Sequence, residues 1–182
     1  MQEFERWTLE TIRGEGASLN WLEESRFEWS ATTYQALSQI LQAKTVILIT
    51  DEPREWLSSY ILSSINKPGR ERPIIPIVSL KSLYPNYDNI TGGAMIDMLE
   101  DMLSTSFNDN YFFFYIGKGD DRRADIAKRN DKSYLWMMDD DFSNALILKS
   151  YDPLIDIKLM QLFRLFDITL SAALFAEVNV GE

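Results

Sequence analysis

Two short runs of this chain have almost no polar edge. Thr45–Thr50 reads Thr-Val-Ile-Leu-Ile-Thr, and residues 111–116 read Tyr-Phe-Phe-Phe-Tyr-Ile. Side chains alternate between the two faces of a strand, so a strand with one wet face shows alternating polarity. These runs do not alternate. Each must be covered on both faces, as the strands of a parallel sheet are. Parallel neighbours cannot be joined by a tight turn, and the chain crosses over between them, usually through a helix. A sheet with helices on both faces follows.

The rest of the chain supplies matching pieces. Residues 74–78, Tyr134–Met138 and Ala145–Leu148 are apolar segments of strand length. Pro73 and Pro76 put the first of these at a strand start or a sheet edge, because proline cannot donate to the ladder. Tyr134–Met138 is also short enough to be a helical turn. Residues 1–43 read as helices. Phe4, Trp7 and Ile12 begin one, Gly14-Glu15-Gly16 breaks it, and Tyr34, Leu37, Ile40 and Leu41 recur at helical spacing. Asp51-Glu52-Pro53 opens another helix, with Trp56, Leu57, Tyr60, Ile61 and Ile65 on its apolar face, and Asn66-Lys67-Pro68-Gly69 stops it. Gly92-Gly93 leads into a third, bearing Met95, Ile96, Leu99, Met102 and Leu103. Residues 79–89 and 117–132 read as polar loops. The expectation is one domain over residues 1–182, an α/β three-layer sandwich with a mostly parallel five-stranded sheet.

The last helical segment, residues 154–175, has two apolar faces. At about 100° per residue, Ile155, Leu159, Leu162, Phe163, Phe166 and Leu170 form one stripe. Leu154, Ile157, Leu165, Ile168 and Phe175 form a second, roughly opposite. A single domain buries the first stripe and leaves the second in water. Exposed contiguous apolar surface marks an interaction site, so Leu154, Ile157, Leu165 and Ile168 are the candidates for a subunit interface.

Composition narrows the chemistry. The chain has no Cys and no His. That removes disulfides, thiolate and imidazole metal ligands, Cys nucleophiles and His general bases. The net charge of −10 repels phosphate backbones and suits a basic or mixed protein partner instead. Residues 1–7 lack the basic start and apolar run of a secretory signal. The best membrane candidate, residues 154–175, carries four charged side chains. The sequence reads as a cytoplasmic protein with no membrane span, no metal and no cofactor.

In parallel α/β sheets, ligands sit at the carboxyl ends of strands. Thr50-Asp51-Glu52-Pro53-Arg54 brings two carboxylates and a proline, a poor anion cradle. Ser79-Leu80-Lys81-Ser82 offers two hydroxyls and one ammonium. Gly117-Lys118-Gly119 lacks the full glycine-rich fingerprint. Asp139-Asp140-Asp141 reads as a solvated acidic loop, and Arg122, Arg123, Lys128 and Arg129 read as a salt-bridged face.

Three stretches together resemble the HobA family of replication-initiation regulators. They are residues 56–63 (Trp-Leu-Ser-Ser-Tyr-Ile-Leu-Ser), Glu71-Arg72-Pro73-Ile74-Ile75 running on to Leu83-Tyr84-Pro85, and above all residues 156–166 (Asp-Ile-Lys-Leu-Met-Gln-Leu-Phe-Arg-Leu-Phe). The likeness runs from Phe4 and Trp7 to Val178 and is weakest over 86–110 and 118–132. The family is related to DiaA and to sugar isomerase (SIS) domains. The resemblance therefore implies a flavodoxin-like, SIS-like fold and a homotetramer without enzymatic activity. It implies binding to the N-terminal domain of the initiator DnaA, ordered DnaA assembly at the origin, and no direct DNA contact. A Leu-Phe pair near the C-terminus contributes to DnaA contact in DiaA relatives, and Leu174-Phe175 stands at the matching place. Trp21 and Phe27 are further candidates for the same groove. The alternative is an SIS-like sugar-phosphate-binding regulator or residual isomerase using Ser79, Lys81 and Ser82.

Overall fold

β1 (Thr45–Thr50) lies beside β3 (Tyr111–Lys118), in register from Thr45 with Tyr111 to Thr50 with Ile116. In this computed structural model, which describes residues 1–180, β2 (Ile77–Ser79) flanks β1. β4 (Tyr134–Met138) and β5 (Ala145–Leu148) extend the other side. The order is β2-β1-β3-β4-β5 and every pair is parallel. This is the flavodoxin-like arrangement, with its switch point between β1 and β3.

Alternation along these strands splits their side chains between two cores. Val46, Leu48, Phe112, Phe114, Ile116 and Trp136 enter the first. Ile47, Ile49, Phe113, Tyr115, Leu135 and Met137 enter the second. The connecting segments are α1 (Gln2–Gly14), α2 (Arg26–Leu41), α3 (Glu55–Ile65), α4 (Leu80–Leu83), α5 (Gly93–Phe107), α6 (Arg122–Lys128) and α7 (Ile155–Leu174). α1, α2, α3 and α7 cover the first core, and α5, α6 and the segment around α4 cover the second. Phe166 of α7 packs on Phe114 and Tyr134, with ring centroids 6.0 and 5.6 Å apart. The Tyr134 hydroxyl, wholly buried, satisfies itself on Thr33 Oγ1 of α2 at 2.7 Å.

Three segments depart from the sequence expectation. β2 begins at Ile77, not at residue 74. Pro73 and Pro76 interrupt the ladder, and the Asn66 side chain takes over for Ile75. Its Oδ1 accepts the Ile75 N–H at 2.9 Å and its Nδ2 donates to the Ile75 carbonyl at 2.8 Å. Residues 79–89 hold α4 and a 3₁₀ turn, Tyr87–Asn89. Residues 117–132 hold α6, capped by Asp121, whose Oδ1 accepts the Arg123 N–H at 2.9 Å. The signal was present as an acidic cap followed by Ala124, Ile126 and Ala127, all buried.

The second stripe of α7 is also corrected. α1, α2 and the 3₁₀ turn Gly16–Leu22 pack along that side of the helix. The Trp21 indole N–H donates to Gln161 Oε1 at 2.9 Å, and Arg164 pairs with Glu15 at 2.9 Å. Leu165 is therefore fully enclosed within the protomer and cannot serve a subunit interface. It lies about 80° round the helix from Ile157, far enough to turn inward. Ile168 is half-buried, and Leu154, Ile157 and Phe175 stay more than half exposed. Leu165→Ala should cost about 3 kcal/mol in urea unfolding, as a buried truncation does. A loss under about 1 kcal/mol would return Leu165 to the surface.

Candidate partner-binding surface

α3 and α7 lie side by side on the outer face of the first core. Tyr60 meets Phe163 edge-on, centroids 5.8 Å apart. Beside that contact is a shallow groove of about 420 Å³, lined by Tyr60, Ile157, Met160 and Phe163 and closed at one end by Arg70, Arg164 and Asp167. Trp56, one helical turn before Tyr60, extends the apolar strip, as Leu154 does at the start of α7. Trp56 is 39% exposed, Tyr60 40%, Met160 42% and Ile157 55%. Helical periodicity assigned Trp56 and Tyr60 to the core side of α3. The helix instead turns both partly outward, because Leu57, Ile61 and Ile65 take the core.

The strip is held in place by a buried charge cluster. Asp167, 8% exposed, pairs with Arg72 at 2.6 Å and with Arg70 at 2.5 Å. The Arg72 guanidinium also donates to the Ile65 carbonyl at 2.7 Å, the Asp167 carbonyl at 3.1 Å and Ser171 Oγ at 2.7 Å. One side chain thus fastens the end of α3 and the following loop to α7.

At the switch point the crevice is filled by the protein itself. Asp51 and Arg54, both buried, form an ion pair there. Asp51 Oδ2 also accepts the Lys118 N–H at 2.8 Å. A Cβ at Gly117 would sit 2.6 Å from the Tyr115 hydroxyl and 2.7 Å from Asp51 Cγ, so glycine is required for this close approach. Burial pushes the Asp51 carboxyl above its ordinary value, against the Lys118 hydrogen bond and the Arg54 charge.

The Ser79, Lys81 and Ser82 candidates do come together, beside a separate cleft at the ends of β1 and β2. Lys81 is no free cation. Its ammonium donates to both Glu55 oxygens at 2.8 Å, and those bonds hold its pKa above the usual lysine value. Three of the four residues of the basic cluster are paired, with acids distant in sequence, and Arg122 has no ion pair among the described residues. Arg123 meets Asp88, Lys128 meets Asp140, and Arg129 meets Asp97.

Comparison with known proteins gives the family. The family model for HobA, a DNA replication regulator, matches residues 1–180. The chain belongs to the HobA family. HobA of Helicobacter pylori, a DNA replication regulator protein, is 30% identical over 188 residues, spanning 99% of this chain and 100% of the relative. A crystal structure of Helicobacter pylori HobA matches with a TM-score of 0.77 at 26% identity, covering 98% of this chain and 99% of that one. A second matching structure is a complex of HobA with DnaA domains I–II from the same organism. Its TM-score is 0.74 at 26% identity, with the same coverage.

The four residues carried over as partner contacts do not form one groove within a protomer. Trp21 is half-buried against α7, with Lys158 Nζ 4.7 Å from its ring centre. Phe175 caps the far end of α7. From Gln161, which Trp21 touches, the 14 positions to Phe175 span roughly 21 Å. Phe27 lies at Trp21's end, since α2 delivers its other end, through Gln39, to Lys132 just before β4. Phe27 is 52% exposed and stacks under the Arg26 guanidinium at 4.1 Å. Leu174 leans on the first core and leaves Phe175 as the exposed member of its pair.

Two outcomes follow. Arg72→Ala should lower stability by about 3 kcal/mol, because it strips the main partner from a buried carboxylate; urea unfolding against wild type measures it. A carbon-13 NMR titration should place the Asp51 carboxyl above 3.8. Native Asp51 then holds its proton where the unfolded chain has lost it. Its contribution to stability falls as pH rises through that window, and a midpoint at or below 3.8 contradicts the burial account.

Proposed function

We propose that this chain is a non-enzymatic adaptor of replication initiation. It assembles as a homotetramer and binds the N-terminal domain of DnaA. It thereby presents several DnaA molecules in order at the origin. The observation that carries this proposal is the full-length likeness to the Helicobacter pylori protein that forms a complex with DnaA domains I–II.

The surface supports the same reading. Tyr60, Ile157 and Met160 form one apolar groove across two helices, with Trp56 and Leu154 exposed on the same helices, and the Arg72–Asp167 cluster backs it. Such a strip suits contact between copies, with Ile157 and Leu154 as its retained interface candidates and Ile168 beside them. Phe175, exposed at the opposite end of α7, is free for a partner. Trp21 and Phe27 belong to the other end, where a groove shared between two copies can still bring them near a partner helix. A net charge of −10 disfavours direct contact with DNA. The absence of His and Cys and the self-filled switch point suit a binding protein better than a catalyst.

Ile157→Asp should shift the sedimentation coefficient to a smaller species with the far-ultraviolet circular dichroism unchanged, because it places an unpaired charge in a dry contact. Phe175→Ala should weaken binding to DnaA domains I–II about tenfold while the assembly stays intact. A wild-type chain that stays monomeric at micromolar concentration, or that fails to bind those domains in calorimetry, refutes the adaptor.

A further inference from the structure

A cleft of about 270 Å³ opens between α3 and the segment that follows β2, at the carboxyl ends of β1 and β2. It shares no residue with the α3–α7 strip. Its volume is near the lower end of small-molecule sites, roughly 300–1,000 Å³. Six hydroxyl-bearing residues line it: Thr50, Ser58, Ser59, Ser79, Ser82 and Tyr87. Thr50 and Tyr87 are only 4% and 3% exposed. Neither hydroxyl, nor that of Ser58, hydrogen-bonds another of the described residues, and the Thr50 and Tyr87 oxygens keep contact with solvent. Hydroxyls that are nearly enclosed yet unpaired within the protein are available to whatever enters the cleft.

The charge pattern selects the contents. Glu55 and Lys81 are the charged groups at the rim, and they cancel each other through two bonds of 2.8 Å. The Ser82 N–H, which a phosphate would need, is already taken by Ser79 Oγ at 3.1 Å, and the two serine hydroxyls bond each other at 2.7 Å. The one lysine on the lining is already paired, which leaves no spare cation there for an anion. Leu62 supplies an apolar wall. Hydroxyls that both donate and accept, a neutral balance and one greasy side match a molecule with hydroxyl edges and C–H faces. We propose that this cleft binds a small neutral polyhydroxylated molecule of monosaccharide size. Phosphorylation of that molecule works against binding. The assignment is independent of the adaptor function, since it rests on the cleft alone.

Saturation-transfer NMR on the full chain tests it, with D-glucose, D-ribose, D-fructose and myo-inositol as neutral probes and D-glucose 6-phosphate as the charged one. At least one neutral probe should receive saturation. Its titrated Kd should rise about tenfold in Tyr87→Phe, the loss of one hydrogen bond. Ser58→Leu, which fills the cleft, should abolish the signal. Melting curves verify that both variants fold, and Tyr87→Phe alone suffices should Ser58→Leu unfold. The proposal is overturned by silence from every neutral probe, by a Kd unchanged in Tyr87→Phe, or by binding of the phosphorylated sugar alone.

Discussion

β1 and β3 bury both of their faces, so every side chain on them needs a layer to pack against. Their six paired positions send Val46, Leu48, Phe112 and Phe114 one way and Ile47, Ile49, Phe113 and Tyr115 the other. A one-residue slip would send a strand's two sets to the wrong cores, so the pairing register fixes both cores at once. The helices on either side are consequences of that pairing. So is the placement of every strand end, and with it the location of the switch point between β1 and β3.

On the first face, α7 carries the burden of closure. It packs on the sheet through Phe166, on α3 through Phe163, and beneath the N-terminal helices through Leu165. Its ends outrun those covers. What remains outside is Leu154, Ile157 and Met160 at one end and Phe175 at the other, about four to six turns apart. A rigid helix exposing apolar groups at two distant points can serve two different contacts at once. That geometry suits the adaptor proposed above, which would hold both its own copies and a partner. The Arg72–Asp167 cluster matters because it fixes α3 against α7, so that Trp56 and Tyr60 present one surface with Ile157.

The carboxyl edge of the sheet has been put to two uses. Between β1 and β3 the Asp51 carboxylate and Arg54 occupy the crevice and tie two strand ends together through the Lys118 N–H. Beside it, between β1 and β2, the hydroxyl-lined cleft stays open because the small side chains of Ser58 and Ser59 on α3 leave the space that larger ones would fill. Regulatory binding proteins commonly keep function on strand-end loops while the scaffold below stays rigid.

β1 and β3 were legible with their limits, because burial on both faces removes the polar residues that would otherwise blur them, whereas the β4 run also fitted a helical turn and β2, only half-buried, starts three residues later than its apolar run. The long helices were legible from their spacing. The family was legible in residues 56–63 and 156–166. α6 was not, since its buried face is Ala124, Ile126 and Ala127, too small and short to stand out among Arg122, Asp125 and Lys128. Nor was the fate of Leu165, or the distance between Trp21 and Phe175. The sequence by itself determined that the terminal helix has two apolar sides, because helical periodicity is local. Only the tertiary structure decided which part of the second side meets water, because that depends on where the N-terminal helices come to rest, a contact between residues more than 100 positions apart in the chain.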